Sequence, residues 1–116
     1  MPGNFGSYIN TGSNYSYVYS HNDLRTKLRN ISLSNLSREA EEAKEDAEFE
    51  YSDPENGYKT ADFILKNHIN IKNLKQHLRD GYKQYEYLAL KIVCLKLEGD
   101  GRFNEANAIY ENYERL

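Results

Sequence analysis

The chain has 116 residues, enough for one domain with one hydrophobic core. No run approaches the roughly 18 consecutive apolar residues that a membrane-spanning helix requires, so we expect no membrane partner. The first residues lack the basic start and the apolar stretch of a signal peptide. We therefore expect a cytoplasmic protein of a bacterial or an infected host cell.

Charge is distributed unevenly along the chain. Residues 1–56 carry 5 basic and 10 acidic side chains, whereas residues 57–100 carry 8 basic and 5 acidic ones. The net charge of −3 therefore conceals an acidic first half and a mildly basic centre. Such an asymmetry is informative about partners and not about the fold.

Residues 1–22 form an arm that is rich in Tyr, Asn, Ser and Gly. Tyrosine alternates with other residues in its second half, so Tyr15, Tyr17 and Tyr19 share one face if the arm is extended. A flexible tail is the alternative interpretation, since chain termini are commonly mobile. We expect an extended arm that docks its tyrosines on a surface of this chain or of a partner.

A single helical domain is predicted over residues 23–116. Asn22-Asp23 predicts the start of a short helix near 23–31. Three polar residues can cap a second helix near 35–51: Ser32, Ser34 and Asn35. Alanine and glutamate dominate this second, acidic helix and favour helix formation. Its apolar face is mostly alanine, so we expect it to be peripheral and place the core helices within 60–116.

Four carboxylates of the acidic helix recur every three or four residues and form one line: Glu39, Glu42, Asp46 and Glu50. A solvated face with no binding role is one interpretation of this line. The other is electrostatic attraction to a basic surface on a partner, which raises the association rate and the specificity. These four carboxylates and the three tyrosines of the arm are the predicted partner-binding residues.

The middle of the chain is punctuated by turn signals. Asp53-Pro54-Glu55-Asn56-Gly57 predicts a turn, and Thr60 is expected to cap a helix near 60–68. Asn70 is expected to cap the next helix, near 71–80, with Gly81 as its left-handed terminator.

Residues 60–80 also support an alternative function, because they resemble a helix-turn-helix motif. Lys72, Lys75 and Arg79 make the second helix basic, as phosphate contacts require. The turn lacks glycine, however, and the local charge of +3 is small for a duplex-binding protein.

The last third of the chain predicts two apolar helices. A helix near 82–98 carries one inward stripe, formed by Tyr85, Leu88, Ile92 and Leu95. Gly99-Asp100-Gly101 ends it, and Asn104 is expected to cap a final helix near 104–115. The inward residues of that helix are predicted to be Phe103, Ala106, Ile109 or Tyr110, Tyr113 and Leu116.

Residues 88–110 resemble a tetratricopeptide helical hairpin. The resemblance lies in the leucines and the glycine at the end of the first helix and in the residues that follow, Phe103, Glu105-Ala106 and Tyr110. Only one such unit is present, whereas repeats of this type need about three copies for stability. The pattern is interpreted as an antiparallel helical hairpin.

The sequence contains little that points to catalysis. His21, His68 and His77 lack the spacing of zinc ligands on one helix face. Gly99-Asp100-Gly101 lacks the lysine and hydroxyl residue of a phosphate-binding loop. Cys94 lies in an apolar run and is expected to be a buried structural thiol. We therefore predict no catalytic residues, no cofactor, no metal site and no enzymatic activity.

The fold is predicted to be all-α, a small bundle of about five short helices with an extended N-terminal arm. The predicted function is that of a non-enzymatic regulator or inhibitor which occupies a surface of a larger protein. Asn, Lys, Ile and Tyr make up 40 of the residues, a bias typical of low-GC bacteria and their phages, so a phage-type antagonist is the specific expectation. A small DNA-binding regulator that uses residues 60–80 is the alternative.

Overall fold

The structure is a computed structural model that describes residues 23–52 and 70–116. It contains α1 (Leu24–Arg29), α2 (Arg38–Ser52), α3 (Ile71–Tyr82), α4 (Glu86–Gly99) and α5 (Phe103–Asn112), with 3-10 turns at Lys83–Tyr85 and Tyr113–Arg115. These ranges are mostly helical and hold no strand, which confirms an all-α bundle. The tyrosine arm and the helix near 60–68 lie outside the described residues, so both stay predictions, as does the count of about five helices.

Side-chain caps fix the starts of α1 and α2. The Asp23 carboxylate accepts the Thr26 N–H at 2.7 Å, as the sequence predicts. The cap of α2 is Ser37, whose hydroxyl accepts the Ala40 N–H at 3.1 Å. The predicted capping role of Ser32, Ser34 and Asn35 is therefore wrong. The two serines instead bond to each other, with the Ser34 N–H donating to the Ser32 hydroxyl at 3.1 Å.

The end of α3 differs from the prediction. Gly81 lies inside α3, and Lys83 is the residue with a positive φ, of 51°. The Lys83 N–H donates to the carbonyl of Arg79 and closes the last turn. Gly81 is therefore not the left-handed terminator, because the helix continues to Tyr82. Asn70 stands at the start of α3, but its side chain makes no capping hydrogen bond.

Gly101 reverses the chain between α4 and α5. Its φ of +79° belongs to the left-handed region that glycine adopts without steric cost. The next residue, Arg102, donates its N–H to the carbonyl of Leu97 at 2.8 Å. Such contacts satisfy the free carbonyls at the end of a helix. Asn104 is not the cap of α5, since the helix begins one residue earlier.

Helix α4 is the central element of the bundle. Its buried residues are Leu88, Ala89, Leu90, Ile92, Val93, Cys94 and Leu97. Successive residues are 100° apart around a helix, so this set covers most of the circumference. α1, α2, α3 and α5 all pack against it. The predicted inward positions of Leu88 and Ile92 are confirmed, whereas Leu95, a member of the same predicted stripe, is 45% exposed. The buried surface of α4 is also wider than one stripe.

Helix α2 contributes to the core, and its predicted peripheral position is wrong. Ala47 and Tyr51 are fully buried, and α2 packs along α4. A buried tyrosine removes on the order of 150–250 Å² from water, which compensates for the small area of the alanines. The core also includes Leu24 and Leu28 of α1, so it is not confined to residues 60–116.

Helix α5 closes the bundle through Ala106 and Ile109, with Tyr113 buried just after it. Phe103 and Leu116 are 58% and 52% exposed, so their predicted inward positions are wrong. Within the described ranges, no helix is sufficiently long and apolar to cross a membrane.

Candidate functional site

The outward side of α2 carries the strongest concentration of charge in the described part of the chain. This helix has seven acidic and two basic side chains. Ala47 and Tyr51 turn one side into the core, which fixes the directions of the other side chains. Glu39, Glu42 and Asp46 are exposed. We call these three residues the acidic face.

The carboxylates of the acidic face make only weak contacts within the described residues. The Tyr85 hydroxyl donates to Glu39 at 3.4 Å, near the limit of a hydrogen bond. Arg38 Nε lies 3.8 Å from the Glu42 carboxylate, in an exposed i,i+4 pair. Pairs of this type contribute about 0.3–0.5 kcal/mol. Asp46 has no ion pair among the described residues. All three charges are thus accessible to a partner.

Glu50, the fourth predicted carboxylate, faces α3. One of its oxygens lies 2.6 Å from His77 Nε2, and the other accepts the Tyr82 hydroxyl at 2.6 Å. Burial and this hydrogen bond raise the pKa of Tyr82 well above its usual value, so the phenol remains a donor. The structure therefore brings Glu39, Glu42 and Asp46 to solvent and places Glu50 in an interhelical contact.

On the opposite flank of α2, one lysine lies between two carboxylates and partly offsets their charge. Lys44 Nζ lies 3.5 Å from the Glu48 carboxylate and 3.6 Å from that of Glu41. The charge of Glu48, followed by that of Glu41, raises the pKa of Lys44 against the opposing effect of burial. One lysine therefore offsets part of the negative charge of this flank, whereas Asp46 of the acidic face has no ion pair among the described residues.

Phe49 is a surface residue that the sequence analysis did not select. It is 71% exposed, and helical geometry places it directly opposite the buried face, beside Glu42 and Asp46. A large exposed aromatic next to charged groups is typical of a binding surface, because aromatic residues are enriched at interfaces. The sequence holds a signal for this position. Phe49 lies three residues after Asp46, on the side of the helix away from Ala47 and Tyr51.

Only part of the helix-turn-helix interpretation falls within the described residues, since residues 60–69 lie outside them. In α3, Lys75 Nζ donates to the main-chain oxygens of Tyr113 and Leu116, at 3.0 and 2.6 Å. It also lies 5.2 Å from the centre of the Tyr113 ring. Lys75 therefore contacts the C-terminal turn, whereas Lys72 and Arg79 remain exposed.

The groups that could support catalysis or metal binding are dispersed. Cys94 is buried, as predicted, and burial raises the pKa of its thiol to about 12. His77 contacts Glu50, while His21 and His68 lie outside the described residues. The described part of the chain holds no group of three side chains able to bind a metal ion.

Comparison with protein-family models, with curated proteins and with solved structures gives no significant match.

Proposed function

We propose that this protein is a non-enzymatic regulator or inhibitor that binds a basic surface of a larger protein through α2. The observation that carries the proposal is the acidic face: three accessible carboxylates on a helix whose other side is anchored in the core by Tyr51. A phage-type antagonist that acts in the cytoplasm of a bacterial or an infected host cell is the specific form of the proposal.

The anchoring of α2 supports this function on energetic grounds. Because Glu50 is held by His77 and Tyr82, the helix presents its charges without having to fold on binding. A preformed surface avoids the entropy cost of ordering a segment. Complementary charge then accelerates encounter with a basic partner.

Apolar contacts complete the proposed interface. Phe49 offers an exposed ring beside the carboxylates, and fully desolvated aromatics supply much of the affinity of protein interfaces. Tyr15, Tyr17 and Tyr19 of the arm are proposed to add further contact area, since tyrosine combines an apolar ring with a hydroxyl.

Charge reversal tests the proposal once a partner has been captured from the native host and purified. We expect the triple variant Glu39→Lys, Glu42→Lys, Asp46→Lys to bind that partner at least about tenfold more weakly in calorimetry, a loss of about 1.4 kcal/mol. The matched control, Asp100→Lys, Glu105→Lys, Glu111→Lys, makes the same change in net charge elsewhere and should bind as the wild type does.

Salt dependence provides a second measurement. Binding of the wild type should weaken as salt rises from about 50 to 500 mM, because salt screens the attraction between exposed charges. The Debye length is roughly 10 Å at 0.1 M and shortens as salt increases. Deletion of residues 1–20 should weaken binding with less dependence on salt. Equal affinity of the two triple variants, or affinity unaffected by salt, would contradict the proposal.

DNA binding remains the alternative function, and the exposure of Lys72 and Arg79 on α3 is the observation that favours it. Retention on immobilised duplex DNA at low salt distinguishes the two, since phosphate contacts weaken steeply as salt rises. Our proposal expects no retention. Salt-sensitive retention that disappears in Lys72→Gln, Arg79→Gln would establish the alternative.

A further inference from the structure

A cavity of about 250 Å³ lies among α1, α4 and α5, away from the acidic face. Three cationic side chains line it: Arg25, Arg29 and Lys91. Its apolar lining includes Leu28 of α1 and Leu95 of α4. We call this cavity the cationic pocket. It combines fixed positive charge with an apolar wall in one concave site, as small-molecule sites commonly do.

Two of the three cations are held in place by neighbouring groups. The Arg25 guanidinium donates to the Asn107 side-chain oxygen at 3.2 Å and lies 4.2 Å from the centre of the Tyr110 ring. Lys91 Nζ donates to the carbonyl of Ile31 at 2.5 Å, which tethers it to the chain after α1. Each cation retains further N–H donors, because arginine has five and lysine has three.

The positive charge of the cationic pocket is not balanced within it. Arg25, Arg29 and Lys91 form no ion pair with a carboxylate among the described residues. Of the residues that the structure describes, Glu98 is the one carboxylate lining the pocket, and it accepts the Tyr110 hydroxyl at 2.9 Å. Asp23 lies at the start of the same α1; the Thr26 hydrogen bond and then the charges of Arg25 and Arg29 lower the pKa of its carboxyl. Against the carboxylates of Glu98 and Asp23, the three cations leave an excess of one positive charge.

The remaining polar group of the wall cannot supply the missing anion. Cys94 lines the pocket but is only 1% exposed. Burial raises the pKa of its thiol to about 12, so the sulfur is protonated at neutral pH. Among the described residues, Cys94 therefore adds no negative charge to the wall of the pocket.

We propose that the cationic pocket binds a small organic anion, a carboxylate attached to an apolar group. The carboxylate lies against the Arg25, Arg29 and Lys91 donors, and the apolar group packs on Leu28 and Leu95. Arginine is suited to this role because its planar fork matches the two oxygens of a carboxylate. This site is separate from the acidic face, and its function goes beyond the proposed regulator activity.

The cavity volume of about 250 Å³ indicates a small binding group. A group of the size of benzoate fits within it. An affinity on the order of 1 mM is within reach of so small a ligand.

The test is a titration of the full chain at low salt with each of three probes. Binding is monitored through the amide resonances in nuclear magnetic resonance spectra. Benzoate should shift the resonances around Arg29 and Leu95 saturably. Benzyl alcohol lacks the charge and inorganic phosphate lacks the apolar ring, so each should bind at least about tenfold more weakly. Resonances of the acidic face should not move, which separates this result from the test of the proposed function.

Substitutions identify the groups responsible. Arg29→Gln should weaken benzoate binding about tenfold, because a charge-assisted hydrogen bond is lost. Leu95→Glu should weaken it similarly by placing a carboxylate on the wall. The matched control Arg115→Gln removes an exposed arginine outside the pocket and should retain binding. The proposal is overturned if benzoate does not saturate, if benzyl alcohol or phosphate binds equally well, or if Arg29→Gln behaves as the wild type.

Discussion

The Nε2 atom of His77 lies 2.6 Å from Oε2 of Glu50, and this contact joins α3 to α2. The second oxygen of the same carboxylate accepts the Tyr82 hydroxyl, so one acidic side chain holds two residues of α3. Glu50 thereby acts with Tyr51 to fix the rotation of α2. That rotation directs Glu39, Glu42 and Asp46 away from the core.

Replacing Glu50 should destabilise the fold. Glu50→Gln removes the charge from two hydrogen-bonded contacts, and bonds to charged groups contribute about 1.5–3 kcal/mol each. We expect a loss of about 1–3 kcal/mol in the free energy of unfolding, measured by urea denaturation. Glu45→Gln, at an exposed position of the same helix, should change it by less than about 0.5 kcal/mol. Equal stability of the two variants would show that the Glu50 contacts are not formed.

Leucines of α4 should differ sharply in their contribution to stability. Leu90 is fully buried and Leu97 is 1% exposed, so replacing either by alanine should cost about 2–5 kcal/mol. Leu95→Ala, on the same helix, should cost less than about 1 kcal/mol, since Leu95 is largely at the surface. Leu36→Ala should also cost less than the buried positions, because Leu36 is only half-buried. Urea melts of the four variants provide the comparison.

Two fully buried tyrosines should respond oppositely to loss of the hydroxyl. The Tyr51 hydroxyl is buried and has no hydrogen-bond partner among the described residues, so Tyr51→Phe should maintain or raise the stability. The Tyr113 hydroxyl donates to Glu86 at 2.6 Å, and Tyr113→Phe should lower the stability by about 1–3 kcal/mol. Thermal and urea unfolding of both variants test this difference. A larger loss for Tyr51→Phe than for Tyr113→Phe is the contrary outcome.

Acid should reduce the stabilising effect of the Asp23 cap. The hydrogen bond from the Thr26 backbone N–H lowers the pKa of Asp23 in the folded chain. Its stabilisation is therefore complete above the usual pKa of an aspartate and is lost as pH falls through the lowered value. Asp23→Ala should be less stable than the wild type at pH 7, and the difference should shrink below about pH 4. Asp23→Asn retains a capping oxygen and should lose less at pH 7; a pH-independent difference would contradict the cap.

Cys94 should react slowly with thiol reagents in the folded protein. Burial raises the pKa of its thiol to about 12, and the thiolate is the reactive form. At pH 8 we expect modification by iodoacetamide to be at least about a hundredfold slower than in denaturant, because both access and the thiolate fraction are reduced. Mass spectrometry of timed samples measures the rate. Rapid modification in buffer would show that the sulfur is accessible.

Much of the helical organisation follows from local patterns. The cap at Asp23 and the glycine near the end of α4 depend on residues close to one another in the chain, so the sequence predicts them directly. Helix α3 was predicted over 71–80 and spans Ile71–Tyr82. The differences in helix bounds have local causes: the main-chain N–H of Lys83 closes the end of α3, and the side-chain hydroxyl of Ser37 caps the start of α2.

The sequence by itself determined the all-α class, the acidic character of α2 and the burial of Cys94, because each depends on composition or on short-range spacing. Tertiary packing decided which side of each helix is inside. Helix α4 is surrounded by four others, so an apolar stripe could not distinguish buried Leu97 from exposed Leu95. The same packing turned Glu50 toward His77. It also gathered Arg25, Arg29 and Lys91 around one cavity, where residues up to 85 positions apart, Arg25 and Tyr110, meet. Local periodicity has no information about such distant neighbours.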